Sequence, residues 1–196
     1  MKDIFTLLFN TIFVNNVVLA QFLAICSFLG VSNSLETAMS MSIAVILVML
    51  GATAITWPIY EFILKGFGIE YLQTLVFILV IAALVQIVEA IIKKTSPTLY
   101  KALGIYLPLI TTNCAILAVA LINVQNSYGF VTSMINSLGI GLGYMLAMFL
   151  FAGVRKRMLD SDIPKSLQGL PIILAAAAIV SVSFFGFKGI AENLFR

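Results

Sequence analysis

The stretch Leu107-Pro-Leu-Ile-Thr-Thr-Asn-Cys-Ala-Ile-Leu117 decides how this chain is read. It sets a proline, two threonines, an asparagine and a cysteine into a run that is otherwise apolar. Composition identifies the surrounding solvent. Of 196 residues, 62% are apolar and only 10% are charged, and the mean hydropathy is +1.14. A soluble domain carries roughly 25% charged residues. The chain therefore reads as an integral membrane protein, and lipid is a costly place for unsatisfied polar groups. The polar run needs a reason to be there.

A bilayer core takes about 20 residues of helix. Six apolar stretches reach that length, near 4–31, 39–64, 69–92, 99–122, 128–154 and 171–187. The polar connections between them are too short for a soluble domain. The expected fold is all-α: one membrane domain over 1–196 with six transmembrane helices. The N-terminus, MKDIFTLLFNTIF, has an acid beside its lysine and no small-residue cleavage site after the apolar run, so it reads as a retained helix.

The halves 1–94 and 95–196 hold three helices each. An odd number makes the second half start from the opposite side, as an inverted repeat requires. The first helix of each half holds a cysteine and residues that fit a helix poorly: Asn10-Thr11 and Asn15-Asn16 in the first, Gly104, Pro108 and Thr111-Thr112-Asn113 in the fourth. The first and fourth helices are therefore expected to be broken.

Lysine and arginine in the loops set the orientation. Lys93, Lys94, Lys101, Arg155, Lys156, Arg157 and Lys165 flank the odd-numbered loops, against Lys2, Lys65, Lys188 and Arg196 on the other side. This predicts odd loops in the cytoplasm and both termini outside. The net charge of +3 comes from residues in short loops rather than one basic face, so no nucleic-acid partner is expected.

The chain has no histidine, which excludes histidine-ligated haem and histidine zinc sites. Its two cysteines, Cys26 and Cys114, cannot form a four-cysteine metal site alone. In unbroken helices they would lie roughly 8 Å and 22 Å from the cytoplasmic end. Ligands of one metal group cannot differ so much in depth. Either the two are unrelated small hydrophobic residues, or at least one helix is broken and its halves displaced. The depth difference also disfavours a disulfide.

Other motifs read as packing. Gly139-x-Gly-x-Gly143 lies in a helix with no preceding strand and suits close helix contact better than phosphate binding. Met39, Met41 and Met49 suit a core. Gly51-Ala52-Thr53 lacks the serine or threonine that a flavin-attachment motif needs before its glycine, since Leu50 stands there, so no covalently bound flavin is expected.

Three runs carry a family resemblance: Asn15–Ser32, Phe77–Gln86 and Lys94–Leu121, together with the loop ending Asp162-Ile-Pro-Lys-Ser-Leu-Gln-Gly169. From end to end they resemble the A-type membrane subunits of the Rnf complex. That family is homologous to the E-type membrane subunit of the sodium-pumping NADH:quinone reductase. Two departures stand out. Ser27 replaces a proline found in many relatives, and Ala24 stands where many have glycine.

The resemblance implies a specific role. The Rnf complex is a ferredoxin:NAD⁺ oxidoreductase that pumps Na⁺ or H⁺ outward across the bacterial inner membrane. By motif, Cys26 and Cys114 would be two of four ligands of an intramembrane 2Fe-2S cluster. The homologous E-type subunit of the Rnf complex would supply the other two. The chain would relay electrons without catalysing a reaction of its own. A membrane component of the NADH:quinone reductase is the alternative within the family. A secondary transporter that binds solute at its broken helices is the alternative outside it.

Overall fold

The computed structural model describes residues 2–31, 35–68, 70–95, 107–159 and 169–194. Every element among them is helical. Helix α1 (Lys2–Phe9) continues into a π turn, Asn10–Val14, and stops. An irregular segment leads to α2 (Ile25–Val31). Helix α3 (Leu35–Ile59) is followed by a second π turn (Tyr60–Leu64) and a last short turn (Lys65–Phe67) that ends on Gly68 at φ 68°. Helix α4 spans Gln73–Thr95. Then come α5 (Leu107–Thr111), α6 (Cys114–Gln125), α7 (Phe130–Leu159) and α8 (Leu170–Leu194).

Both expected breaks are present. Short helices α1 and α2 meet at one irregular joint, and α5 and α6 meet at another. In each half, two long helices follow the joint. Among the described residues, Leu35–Leu64, Gln73–Ile91 and Phe130–Met158 are each long and apolar enough to cross a membrane, and Leu109–Gln125 and Leu170–Gly186 are shorter apolar helices. The chain is a multi-pass membrane protein.

The helices outrun the apolar stretches. Helix α3 starts at Leu35 and α7 runs on through Arg155, Lys156 and Arg157. Hydropathy measures the apolar span, whereas helices continue into the polar flanks as long as the backbone ladder is unbroken. The part of the fourth span before Leu107, with Gly104 and Lys101, lies outside the described residues, as does Lys165.

In lipid, helices associate through close packing of small residues rather than a hydrophobic drive. Helix α7 is the spine of the bundle. A Cβ at Gly141 would lie 2.8 Å from Ile46 Cγ1 of α3, and one at Gly143 would lie 3.3 Å from the Ile12 backbone. The glycines thus admit α3 and the first π turn to the same helix. Met41, Met49, Met148 and Phe151 fill the core around them. Helix α4 turns Leu75, Leu79 and Ile87 outward, as a lipid-facing or partner-facing helix does.

Polar side chains between the helices are satisfied by one another. Asn136 Nδ2 donates to Asn123 Oδ1 at 2.7 Å, and Asn123 Nδ2 donates to Ser137 Oγ at 3.2 Å. Ser137 Oγ meets Thr53 Oγ1 at 2.7 Å, and Thr11 Oγ1 approaches Asn136 Oδ1 at 3.4 Å. This network joins α3, α6, α7 and the first π turn. Near one end of it opens a cavity of about 410 Å³, lined by Trp57, Tyr60, Glu61, Lys65, Asn123, Ser127 and Tyr128 among others.

Candidate metal centre at the two helix joints

The first joint is organised by Asn16. Its Nδ2 donates to Gly143 O at 2.8 Å and to Ile12 O at 3.1 Å. Its Oδ1 accepts from Val18 N at 3.1 Å and Leu19 N at 3.3 Å. These contacts fill the whole capacity of a carboxamide. They replace the helical ladder where it is lost. Ser181 of α8 donates its hydroxyl to Leu19 O, closing another freed carbonyl. Asn15, next in sequence, is exposed, and its amide reaches Asn10 Oδ1 at 3.3 Å. Of the Asn15-Asn16 pair, Asn16 therefore holds the joint.

The chain then turns through two left-handed residues, Phe22 at φ 54° and Ala24 at φ 62°. For a residue with a Cβ this costs roughly 1–2 kcal/mol. Only glycine takes that conformation freely, so Ala24 holds a position that suits glycine. Ala24 is completely buried, and its N–H donates to Cys114 Sγ at 2.9 Å. The two joints therefore meet.

The second joint lies at Thr112–Asn113. Asn113 has extended backbone (φ −70°, ψ 110°) and caps α6, with Oδ1 accepting from Ala115 N at 3.0 Å. Asparagine is among the best residues for that task. Pro108 is the second residue of α5, ahead of this break. Cys114 is the first residue of α6, at the positive end of a 12-residue helix.

Ser27 ties the joints together. Its hydroxyl donates to Ala24 O at 3.1 Å and accepts from Asn113 Nδ2 at 3.4 Å. A proline there would lack this hydroxyl. Cys26 is exposed and Cys114 is half-buried; both thiols are free. The depth conflict of two unbroken helices disappears, because Cys114 lies against the backbone two residues before Cys26.

The donor set suits half of a metal–sulfur site. Among the described residues, no group of three or more His, Cys, Asp or Glu gathers to hold a metal. Each joint carries one thiol, and that of Cys26 belongs to an exposed residue. The N–H of Ala24 and the N-terminus of α6 both meet the Cys114 sulfur. Thr53, the threonine of the Gly51-Ala52-Thr53 run, is buried and bonded to Met49 O at 2.9 Å.

One residue at this site escaped sequence reasoning. Tyr144 of α7 is 1% exposed, and among the described residues its hydroxyl is the buried side-chain polar atom without a hydrogen-bond partner. A tyrosine directly after Gly139-x-Gly-x-Gly143, in mid-helix, is the sequence signal that could have raised it.

A family model described as "Rnf-Nqr subunit, membrane protein" matches residues 4–191. The A component of the Na(+)-translocating ferredoxin:NAD(+) oxidoreductase complex of Acetobacterium woodii is 55% identical over 183 residues, covering 93% of this chain and 95% of that protein. The A components of the ion-translocating oxidoreductase complexes of Syntrophotalea carbinolica and Azoarcus sp. are 47% and 48% identical, each over 98% of this chain and 100% of the relative.

Proposed function

The chain belongs to the Rnf-Nqr family of membrane subunits, and from that premise we propose that it is the electron-relay subunit of an ion-translocating ferredoxin:NAD⁺ oxidoreductase. In this reading Cys26 and Cys114 supply two of the four sulfur ligands of an intramembrane 2Fe-2S cluster. A homologous membrane protein of the same complex, the E-type partner, supplies the other two. Bound there, such a cluster supplies one-electron transfer at membrane depth. The complex couples that transfer to outward movement of a cation, and Na⁺, named for the Acetobacterium relative, is the first to test.

The observation that carries the reading is the bond from Ala24 N to Cys114 Sγ. It draws two cysteine-bearing joints, 90 residues apart in sequence, into one place. The chain's own residues then have definable tasks. Asn16 and Asn113 hold the joints open. Ser27 clamps one to the other. Ala24 directs its N–H at sulfur. Exposed Cys26 presents the incomplete half of the site to a partner. Purification together with the E-type partner should yield two irons per pair and a paramagnetic signal on reduction. A pair that is intact but free of iron would overturn the assignment.

We further propose that the odd loops face the bacterial cytoplasm, as an inner-membrane protein with both termini outside. Two contacts support this. Arg155 Nη1 donates to Leu29 O at 2.7 Å, which groups the ends of α2 and α7. Trp57 Nε1 donates to Tyr128 O at 2.9 Å, which groups the ends of α3 and α6. A reporter active only in the cytoplasm should stay silent when fused after Arg196 and report when fused after Lys94. The reverse pattern would refute the orientation. The relation of the halves as an inverted repeat rests on the same alternation of sides.

A further inference from the structure

The polar network between α3, α6, α7 and the first π turn is short of protons. A threonine or serine hydroxyl carries a single proton. Those of Thr11, Thr53 and Ser137 make five contacts with oxygen: Thr11 with Leu7 O at 2.6 Å and Asn136 Oδ1 at 3.4 Å, Thr53 with Met49 O at 2.9 Å, Ser137 with Ser133 O at 2.7 Å, and Thr53 with Ser137 at 2.7 Å. The carbonyl and carboxamide oxygens among these partners bring no proton, so two of the five contacts lack one at any moment. Asn136 presents its oxygen to Thr11 because its Nδ2 is spent on Asn123 Oδ1 at 2.7 Å. All these side chains are at most 9% exposed. Facing oxygens without a proton between them repel, and little water screens them at membrane depth. A network that only joined helices would gain from a proton in every contact. The second observation is an entrance. The cavity of about 410 Å³ has a lining that runs from exposed Lys65, Ser127 and Gly129 to buried Asn123, which is itself part of the network.

We propose that this network binds a monovalent alkali cation stripped of most of its water, which reaches it through the cavity beside Asn123. This rests on the proposed function, in which the complex moves a cation, and assigns one stop of that movement to this chain. The chemistry of the donors selects the ligand. Every side chain in the network is a hydroxyl or a carboxamide, so none of them takes up a proton near neutral pH. A divalent ion is held with the help of carboxylates, whereas uncharged oxygens suit a single charge. Two oxygens at about 2.4 Å from a hard cation and at right angles to each other stand about 3.4 Å apart. Thr11 Oγ1 and Asn136 Oδ1 stand 3.4 Å apart. A cation between them takes the place of the missing proton. Thr11 belongs to the π turn that precedes Asn16, so the bound ion would touch the same segment that leads into the Cys26 joint.

The test uses the purified complex in detergent, with Na⁺ as the probe and choline as the inert substitute. Hydrogen exchange of the peptides that cover Asn123 to Ser137 should slow in Na⁺. The Na⁺ concentration that gives half of this protection should rise about tenfold in Thr11→Val and in Thr53→Val, each of which removes one oxygen at nearly constant shape. Thr53→Ser keeps the oxygen and should bind as the unsubstituted chain does. Iron content should be the same in all three variants. Equal exchange in Na⁺ and choline would overturn the site. So would valine variants that melt earlier yet keep the same Na⁺ dependence, because the network would then be a helix joint alone. Where a valine variant does not assemble, the exchange measurement on the unsubstituted complex decides. A complex that is free of iron but still protected by Na⁺ would overturn the cluster assignment and leave the cation site standing, so the two failures are separable.

Discussion

Cys114→Ser in the assembled complex should remove the iron–sulfur signal and cut electron flow by at least about a hundredfold, the upper range for losing a residue that merely supports a ligand and so a floor for the ligand itself. The substitution is nearly isosteric. Ala24 N–H retains an oxygen acceptor where it now meets sulfur at 2.9 Å, so the joints should still close. What changes is the ligand. A serine hydroxyl stays protonated at neutral pH and is a poor donor to iron, which thiolate suits. Cys26→Ser should behave alike, although that residue is exposed. The comparison separates function classes, because a solute transporter or a passive membrane anchor would tolerate both changes. Iron content, paramagnetic resonance and ferredoxin-dependent NAD⁺ reduction are the readouts. Retention of all three in either variant would refute the relay.

Asn16→Leu should be the most destabilising single change at the joints. It keeps the volume but orphans Ile12 O, Val18 N and Leu19 N together and strips Gly143 O of its bond outside the α7 ladder. Leaving a buried polar group unsatisfied costs about 1–3 kcal/mol. With partial relaxation of the backbone, a total of about 4 kcal/mol is expected. Thermal unfolding in detergent should show a clearly lowered midpoint, and iron should be lost because Ala24 and Cys26 are no longer held. Asn15→Leu is the control. Its side chain is exposed and bonds to Asn10 at the surface, so its effect should stay within about 0.5 kcal/mol. Equal effects of the two changes would show that the joint does not depend on Asn16.

Much of this was legible from residue chemistry. Asparagine and threonine runs inside apolar segments had to serve a backbone that leaves the helix, and Asn16 and Asn113 do. The glycine run 139–143 had to admit neighbours, and Ile46 and Ile12 press against it. Met41 and Met49 are fully buried, as packing residues should be. Pro108 is the second residue of α5, and the break among the described residues falls after Thr111, where Asn113 takes extended backbone. Nothing local distinguishes Asn15 from Asn16, since the difference lies in Gly143, 127 positions away along the chain. Tyr144 was illegible for the same reason. An unpartnered hydroxyl is a property of its surroundings, and no periodicity records it.

The partners of the first joint have a consequence for how the protein is made. Asn16 is held by Gly143, Leu19 O by Ser181 and Ala24 N by Cys114. All three lie in the second half of the chain. The amino-terminal segment leaves the ribosome first but cannot complete these contacts until the second half is in place. The meeting of the two cysteine-bearing joints is thus a late product of biogenesis, and a chain arrested before Ser181 would lack the contact that closes Leu19 O.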